Sequence, residues 1–236
     1  MDFQHFFSYL LAPSLRIPMG IVLAYLGALV GCAELLSRKT NMSAELTRKI
    51  VHIGSGNVIL IAWLGDIPGE MGVAAAFVAG IIALVSYFLP ILPSINSVGR
   101  QSLGSFFYAL SMGILIWWFW SIHQPYFAAL GILVMTWGDG LAAVIGTNFG
   151  KHPYKVFGNK KSYEGTATMF FVSLAIALLL LIPLSLLAWQ QILIAAIIAL
   201  VATFLESFAQ LGVDNLLVPV GSAAVAFFLS QYFVAI

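Results

Sequence analysis

Three carboxylates stand where an apolar chain tolerates them least. Asp139 falls inside "MTWGDGLAAVIG", Glu206 near the end of an apolar run in "TFLESFAQLGVDN", and Asp214 in the loop that follows. A charge at the bilayer centre costs on the order of 2.5–3.5 kcal/mol even on lenient insertion scales, so it normally faces a protein interior and marks a site. Helical spacing gathers more polar atoms around these acids. Thr136, Asp139 and Ala143 share one face, with Gly138 and Gly140 flanking the acid. Thr203, Glu206 and Gln210 make a second stripe. Arg48, His52 and Ser55 make a third, where Gly54 and Gly56 leave room for close approach. One such stripe serves helix–helix adhesion. Three at the same membrane surface describe the walls of a site.

The stretch "NFGKHPYKVFGNKKSYEGT" (148–166) supplies the opposite charge. It carries Lys151, Lys155, Lys160 and Lys161, with His152, Glu164 and glycines at 150, 158 and 165. Such lysines can simply hold anionic headgroups. Against that, the glycines suggest a specific backbone path, and Glu164 would be wasted on anionic lipid. Lysines for a polyanion, with carboxylates for a divalent cation, are what phosphoryl transfer requires. No GxxxxGK[ST] occurs, and the Gly-rich loop, HRD and DFG set of protein kinases is missing, which excludes nucleotide sites of those two kinds.

The elements that must position these groups are membrane spans. Of 236 residues, 61% are hydrophobic and 8% charged, and a spanning helix needs roughly 20 mostly apolar residues. Apolar runs fall at 17–36, 46–64, 71–89, 103–120, 125–147, 167–188, 190–208 and 215–235. The expected fold is an all-α integral membrane protein, a polytopic bundle of eight transmembrane helices with seven as the fallback. It forms a single transmembrane domain over 1–236, with basic loops at 37–50 and 148–166. The second run is the weakest, because Arg48, Lys49 and His52 lie in its first two turns and must snorkel to the surface. With eight spans, Arg38, Lys39, Arg48, Lys49, Arg100 and the four lysines of 148–166 fall on one side, which the positive-inside rule makes cytoplasmic. Only Arg16 falls opposite, beside short loops such as "GDIPGE" and "SIHQP".

The N-terminal "MDFQHFFSYLLAPSLR" lacks the charged start and small-residue cleavage site of a secretory signal, and reads as an interfacial segment. The single cysteine, Cys32, rules out an internal disulfide. A net charge of +1 says nothing about partners. Membrane lipids are the expected surroundings, and no nucleic-acid partner is expected. His5, His123 and the tryptophan-rich 117–120 read as interfacial or packing residues.

Three blocks carry a family resemblance: "RKIVHIGSGN" (48–57), "WGDGLAAVIGTNFGKHPYKVFGNKKSYEGT" (137–166) and "ESFAQLGVDNLLVPV" (206–220). Together they resemble the polyprenol kinase family of dolichol and phytol kinases, closest to the phytol kinases of photosynthetic organisms. The resemblance implies transfer of the CTP γ-phosphate to a long-chain isoprenoid alcohol, phytol or geranylgeraniol, with Mg²⁺ as cofactor. It implies that Lys160 and Lys161 bind the CTP phosphates, with Lys151, Arg48 and Lys49 as further clamps and His52 and Asn215 beside them. Asp139, Glu164 and Asp214 are the candidates for Mg²⁺, and any one of them could instead orient the hydroxyl. Asp139, Glu164 and Glu206 are the catalytic candidates.

The lysine loop also resembles that of the phosphatidate cytidylyltransferases, which points to a shared nucleotide. Their closing basic signature is absent here, where the chain reads "ESFAQLGVDNLLVPVGSA" with no basic residue after Lys161. "DGLAAVIG" is similar to the CDP-alcohol phosphotransferases, but their arginine after DGxxA and their later paired aspartates are missing. Diacylglycerol is the alternative acceptor, and a small transporter coupled through Asp139 and Glu206 is the alternative outside enzymes.

Overall fold

The computed structural model describes residues 13–39, 44–88, 103–156, 159–208 and 211–234. Arg100, Gln210, Gly158, His5 and the first twelve residues of the N-terminal stretch lie outside this set. The described chain forms α1 (Pro13–Lys39), α2 (Ala44–Gly56), α3 (Val58–Leu64), α4 (Gly69–Phe88), α5 (Gly104–Ser121) and α6 (Pro125–Phe149). A short hairpin follows, β1 (Pro153–Val156) and β2 (Asn159–Ser162), and then α7 (Tyr163–Leu181), α8 (Ala188–Phe208) and α9 (Asp214–Val234).

Six of these helices are long and apolar enough to cross a membrane: α1, α4, α6, α7, α8 and α9. The other two expected spans differ. α5 has 18 residues, but its tryptophans, serines and Tyr108 dilute its hydropathy, and it is not among the six. The run at 46–64 is two helices, α2 and α3, meeting at Asn57. Polar bonds hold that junction. Trp137 Nε1 donates to Asn57 Oδ1 at 2.9 Å, Asn57 Nδ2 donates to the Tyr25 hydroxyl at 3.3 Å, and Tyr25 donates to the Gly54 carbonyl at 2.9 Å.

α6 is the hub. About 72% of its apolar window is buried, against 6% for α1 and 22–33% for the other four candidate spans. It packs against α2, α3, α5, α7 and α9. A helix apolar all round asks to be surrounded, and Phe127, Leu130, Ile132, Val134 and Met135 are fully buried here. At the end away from the lysine stretch, Trp118 stacks on Phe119, and Phe127 and Phe227 pack against them edge-on or tilted, while Trp117 is exposed.

Among their described residues the basic segments are largely helix and strand rather than the expected loops. α1 runs through Lys39 and α2 starts at Ala44, so the described residues of 37–50 are helical. Within 148–166, α6 continues to Phe149 and α7 begins at Tyr163, leaving an antiparallel hairpin between them. Ser162 closes the hairpin and caps α7, its Oγ accepting from the Gly165 N–H at 3.2 Å.

Candidate active site

The site begins with the contact between α2 and α6. A Cβ on Gly56 would run into the side chain of Thr136, and one on Gly140 would meet Ile53. Glycine at both positions lets the two backbones approach, which carries Lys49 and His52 to Asp139. Lys49 Nζ lies 2.5 Å from Asp139 Oδ2, and the two side chains are only 11% and 12% exposed. His52 Nε2 lies 3.8 Å from the same oxygen and, though buried, makes no hydrogen bond. Lys49 therefore does not snorkel to the surface. It turns inward, because a lone buried carboxylate is far more costly than one held by an ammonium.

The hairpin supplies the second pair. Lys161 Nζ donates to Glu206 Oε1 and to the Glu206 carbonyl, each at 2.5 Å, joining β2 to the end of α8. Side chains alternate along a strand, so the adjacent Lys160 is turned the other way and is exposed. Its partner across the hairpin is Lys155, also exposed. The lysine pair read as one clamp is thus divided between two faces.

α9 adds the third carboxylate. Leu211 and Gly212 take positive φ of 56° and 88°, turning the chain into α9 with Asp214 as its first residue. A carboxylate there is favoured by the helix dipole. Asn215 Nδ2 donates to the Gly212 carbonyl and to Asp214 Oδ1, both at 3.2 Å, and holds the turn. Asp139, Lys49 and Glu206 all act electrostatically on Asp214, and Arg48 acts on His52 and Asp139. Residues separated by as many as 165 positions, Lys49 and Asp214, belong to one charged cluster at one end of the bundle.

Other expected members stay apart. Glu164 accepts from His152, with Nδ1 2.6 Å from Oε1 and the His152 backbone N 3.4 Å from Oε2, where the hairpin meets α7. Lys151 is exposed beside it. Three hydroxyls of the polar stripes bond to their own helices: Thr136 to the Leu133 carbonyl, Thr203 to that of Ala199, and Ser55 to that of His52. Sequence reasoning missed Tyr108 of α5, whose ring lies 4.7 Å from that of His52 and walls the cluster. The signal available was a tyrosine in the first half of an apolar run.

Among the described residues no three His, Cys, Asp or Glu side chains are grouped to hold a metal by themselves. The cluster's carboxylates are a donor set that fits Mg²⁺, whose remaining positions are commonly filled by phosphate oxygens and water. Asp214 makes no ion pair among the described residues, so its carboxylate is the one not already held by a lysine. Two ammonium groups, a guanidinium and three carboxylates in one partly buried cluster have the chemistry to bind a polyphosphate and orient an acceptor.

The chain is 50% identical over 216 residues to the phytol kinase of Synechocystis sp., covering 92% of this chain and 93% of that protein. It is 32% identical over 245 residues to the chloroplastic phytol kinase 1 of Arabidopsis thaliana, covering 93% of this chain and 79% of that one. A probable chloroplastic phytol kinase of Triticum aestivum is 27% identical over 222 residues. No protein-family model matches the chain, and no solved structure does.

Proposed function

The chain belongs to the phytol kinase family, and on that premise we propose that it transfers the γ-phosphate of CTP to the hydroxyl of a long-chain isoprenoid alcohol, phytol or geranylgeraniol. The reaction takes place at the cytoplasmic face of an eight-span membrane protein. One observation carries this reading: the Lys49–Asp139 and Lys161–Glu206 pairs converge with Asp214 at one end of an apolar bundle. A lipid alcohol can keep its tail among apolar helices while its hydroxyl reaches that charged end.

In this mechanism Lys49 and Lys161 exchange carboxylate oxygens for phosphate oxygens when the nucleotide arrives, and Arg48 adds a third positive group. Asp139, set between Lys49 and His52, orients the acceptor hydroxyl. The alcohol oxygen forms a bond to the γ-phosphorus, and the bond from that phosphorus to the bridging oxygen breaks. CDP leaves with the electron pair, and the hydroxyl proton passes to Asp139. Asp214 would hold Mg²⁺, which when bound supplies charge neutralisation on the phosphates. The catalytic power asked of the protein is positioning and electrostatic stabilisation.

The test is direct. Purified protein in neutral detergent is given labelled CTP, ATP, GTP or UTP with phytol, geranylgeraniol, dolichol and diacylglycerol. Phosphorylated phytol or geranylgeraniol formed from CTP is the expected product. Failure to phosphorylate any isoprenoid alcohol, or a preference for diacylglycerol, would overturn the acceptor. Better use of another nucleotide would overturn the donor.

A further inference from the structure

The hairpin has two chemically different faces, and the charged site uses one of them. Lys161 points inward to Glu206, whereas Lys155 and Lys160 are direct cross-strand partners on the exposed face. Like charges placed opposite each other on a hairpin are destabilising, and no carboxylate among the described residues pairs with either. Glu164, at the start of α7, is taken by His152. Two exposed rings flank the hairpin where it joins the helices, Phe149 at the end of α6 and Tyr163 at the start of α7. Both helices are among the six long apolar ones, so the hairpin joins the ends of two candidate spans. Aromatic residues at span ends are typical interfacial anchors. Lys155 and Lys160 lie two residues above the Pro153–Ser162 base, about 7 Å along the strands, and a headgroup layer is roughly 5–8 Å thick.

We propose that the outward face of the hairpin, Lys155 with Lys160, is a contact for anionic lipid headgroups of the surrounding bilayer. The shared positive charge selects an anion, and the flanking rings set the depth at which that anion is met. This contact anchors the strand that carries Lys161 into the charged site. It is independent of which nucleotide and alcohol the site takes.

The experiment uses the full chain in nanodiscs of phosphatidylcholine alone or of phosphatidylcholine mixed with phosphatidylglycerol. Hydrogen exchange is read at the backbone amides of 153–162. A basic residue near an anionic surface is worth about a fivefold preference, so exchange should slow by about that factor per lysine in the mixed discs. High salt should erase the difference. Lys155→Met should remove part of it, and Lys155→Met with Lys160→Met nearly all. Lys155→Arg, which keeps the charge, should retain it and so separate charge loss from a disturbed hairpin. Equal exchange of the wild-type hairpin in the two lipids overturns the proposal. So does Lys155-dependent slowing by CTP or inorganic phosphate in neutral discs, which would assign this face to a soluble phosphate.

Discussion

Lys49 and Asp139 are 90 positions apart in the chain, yet their charged atoms lie 2.5 Å apart with both side chains almost buried. Neither would be stable there alone. Breaking a buried pair by removing one partner typically costs about 3–5 kcal/mol, because an uncompensated charge is left behind. The pair is therefore both a structural bolt between α2 and α6 and the centre of the proposed chemistry, and mutation can separate these roles.

Asp139→Asn keeps the shape and an oxygen that accepts from Lys49. The variant should insert and fold but lose roughly 10²–10³ in rate, the scale of a lost preorganised electrostatic group. Turnover of labelled CTP in detergent checks this, with thermal stability measured in parallel. Lys49→Met should lower stability more than Lys49→Met combined with Asp139→Leu, since only the single variant strands a carboxylate.

Lys160 and Lys161 are neighbours that face opposite ways. Lys161→Met deletes a charge-assisted contact worth roughly 1.5–3 kcal/mol, so CTP use should weaken about 10–150-fold. Lys160→Met, on the exposed face, should cost clearly less in neutral detergent. The KM for CTP of the two variants decides it. Equal losses would mean that the nucleotide reaches both faces of the hairpin.

Tyr108 holds the His52 ring from the side. An aromatic pair contributes about 0.5–1.5 kcal/mol beyond its burial, so Tyr108→Leu should slow turnover about 2–12-fold. Tyr108→Phe keeps the ring and should stay near wild type. A large loss in the phenylalanine variant would show that the hydroxyl takes part.

Gly56 sets the distance between α2 and α6 against Thr136. Gly56→Ala should destabilise by about 1–3 kcal/mol, the usual scale of overpacking. Thr136→Gly should recover part of that loss, and Thr136→Ala less of it, because even the Thr136 Cβ lies close to where the new methyl would stand. Melting temperatures of the single and double variants test the relief.

What the sequence by itself determined follows from cost. Asp139, Glu206 and Asp214 stood out as candidates because a carboxylate beside apolar runs needs a reason to be there. The all-helical membrane architecture was visible for the same reason, since long apolar runs leave the chain few other options. Six of the eight expected spans are helices of the required length and hydropathy. The 46–64 run instead divides at Asn57, where bonds to Tyr25 and Trp137 come from two other helices. Local sequence carried no trace of those partners.

Tertiary structure alone decided how the charges pair. Whether Lys49 snorkels or turns inward depends on Asp139 being delivered to it across the Gly56 and Gly140 contacts, a matter of helix packing. Lys160 and Lys161 look equivalent in a loop. They diverge once the segment becomes a strand, because successive side chains then face opposite ways. Glu164 reads as a ligand beside the lysines, and the hairpin brings His152 to it across the fold. Tyr108 was unremarkable within its apolar run, and α5 gives it a place in the cluster by setting it against His52. Composition reveals which groups are too costly to be accidental, but only the folded chain determines which of them face one another.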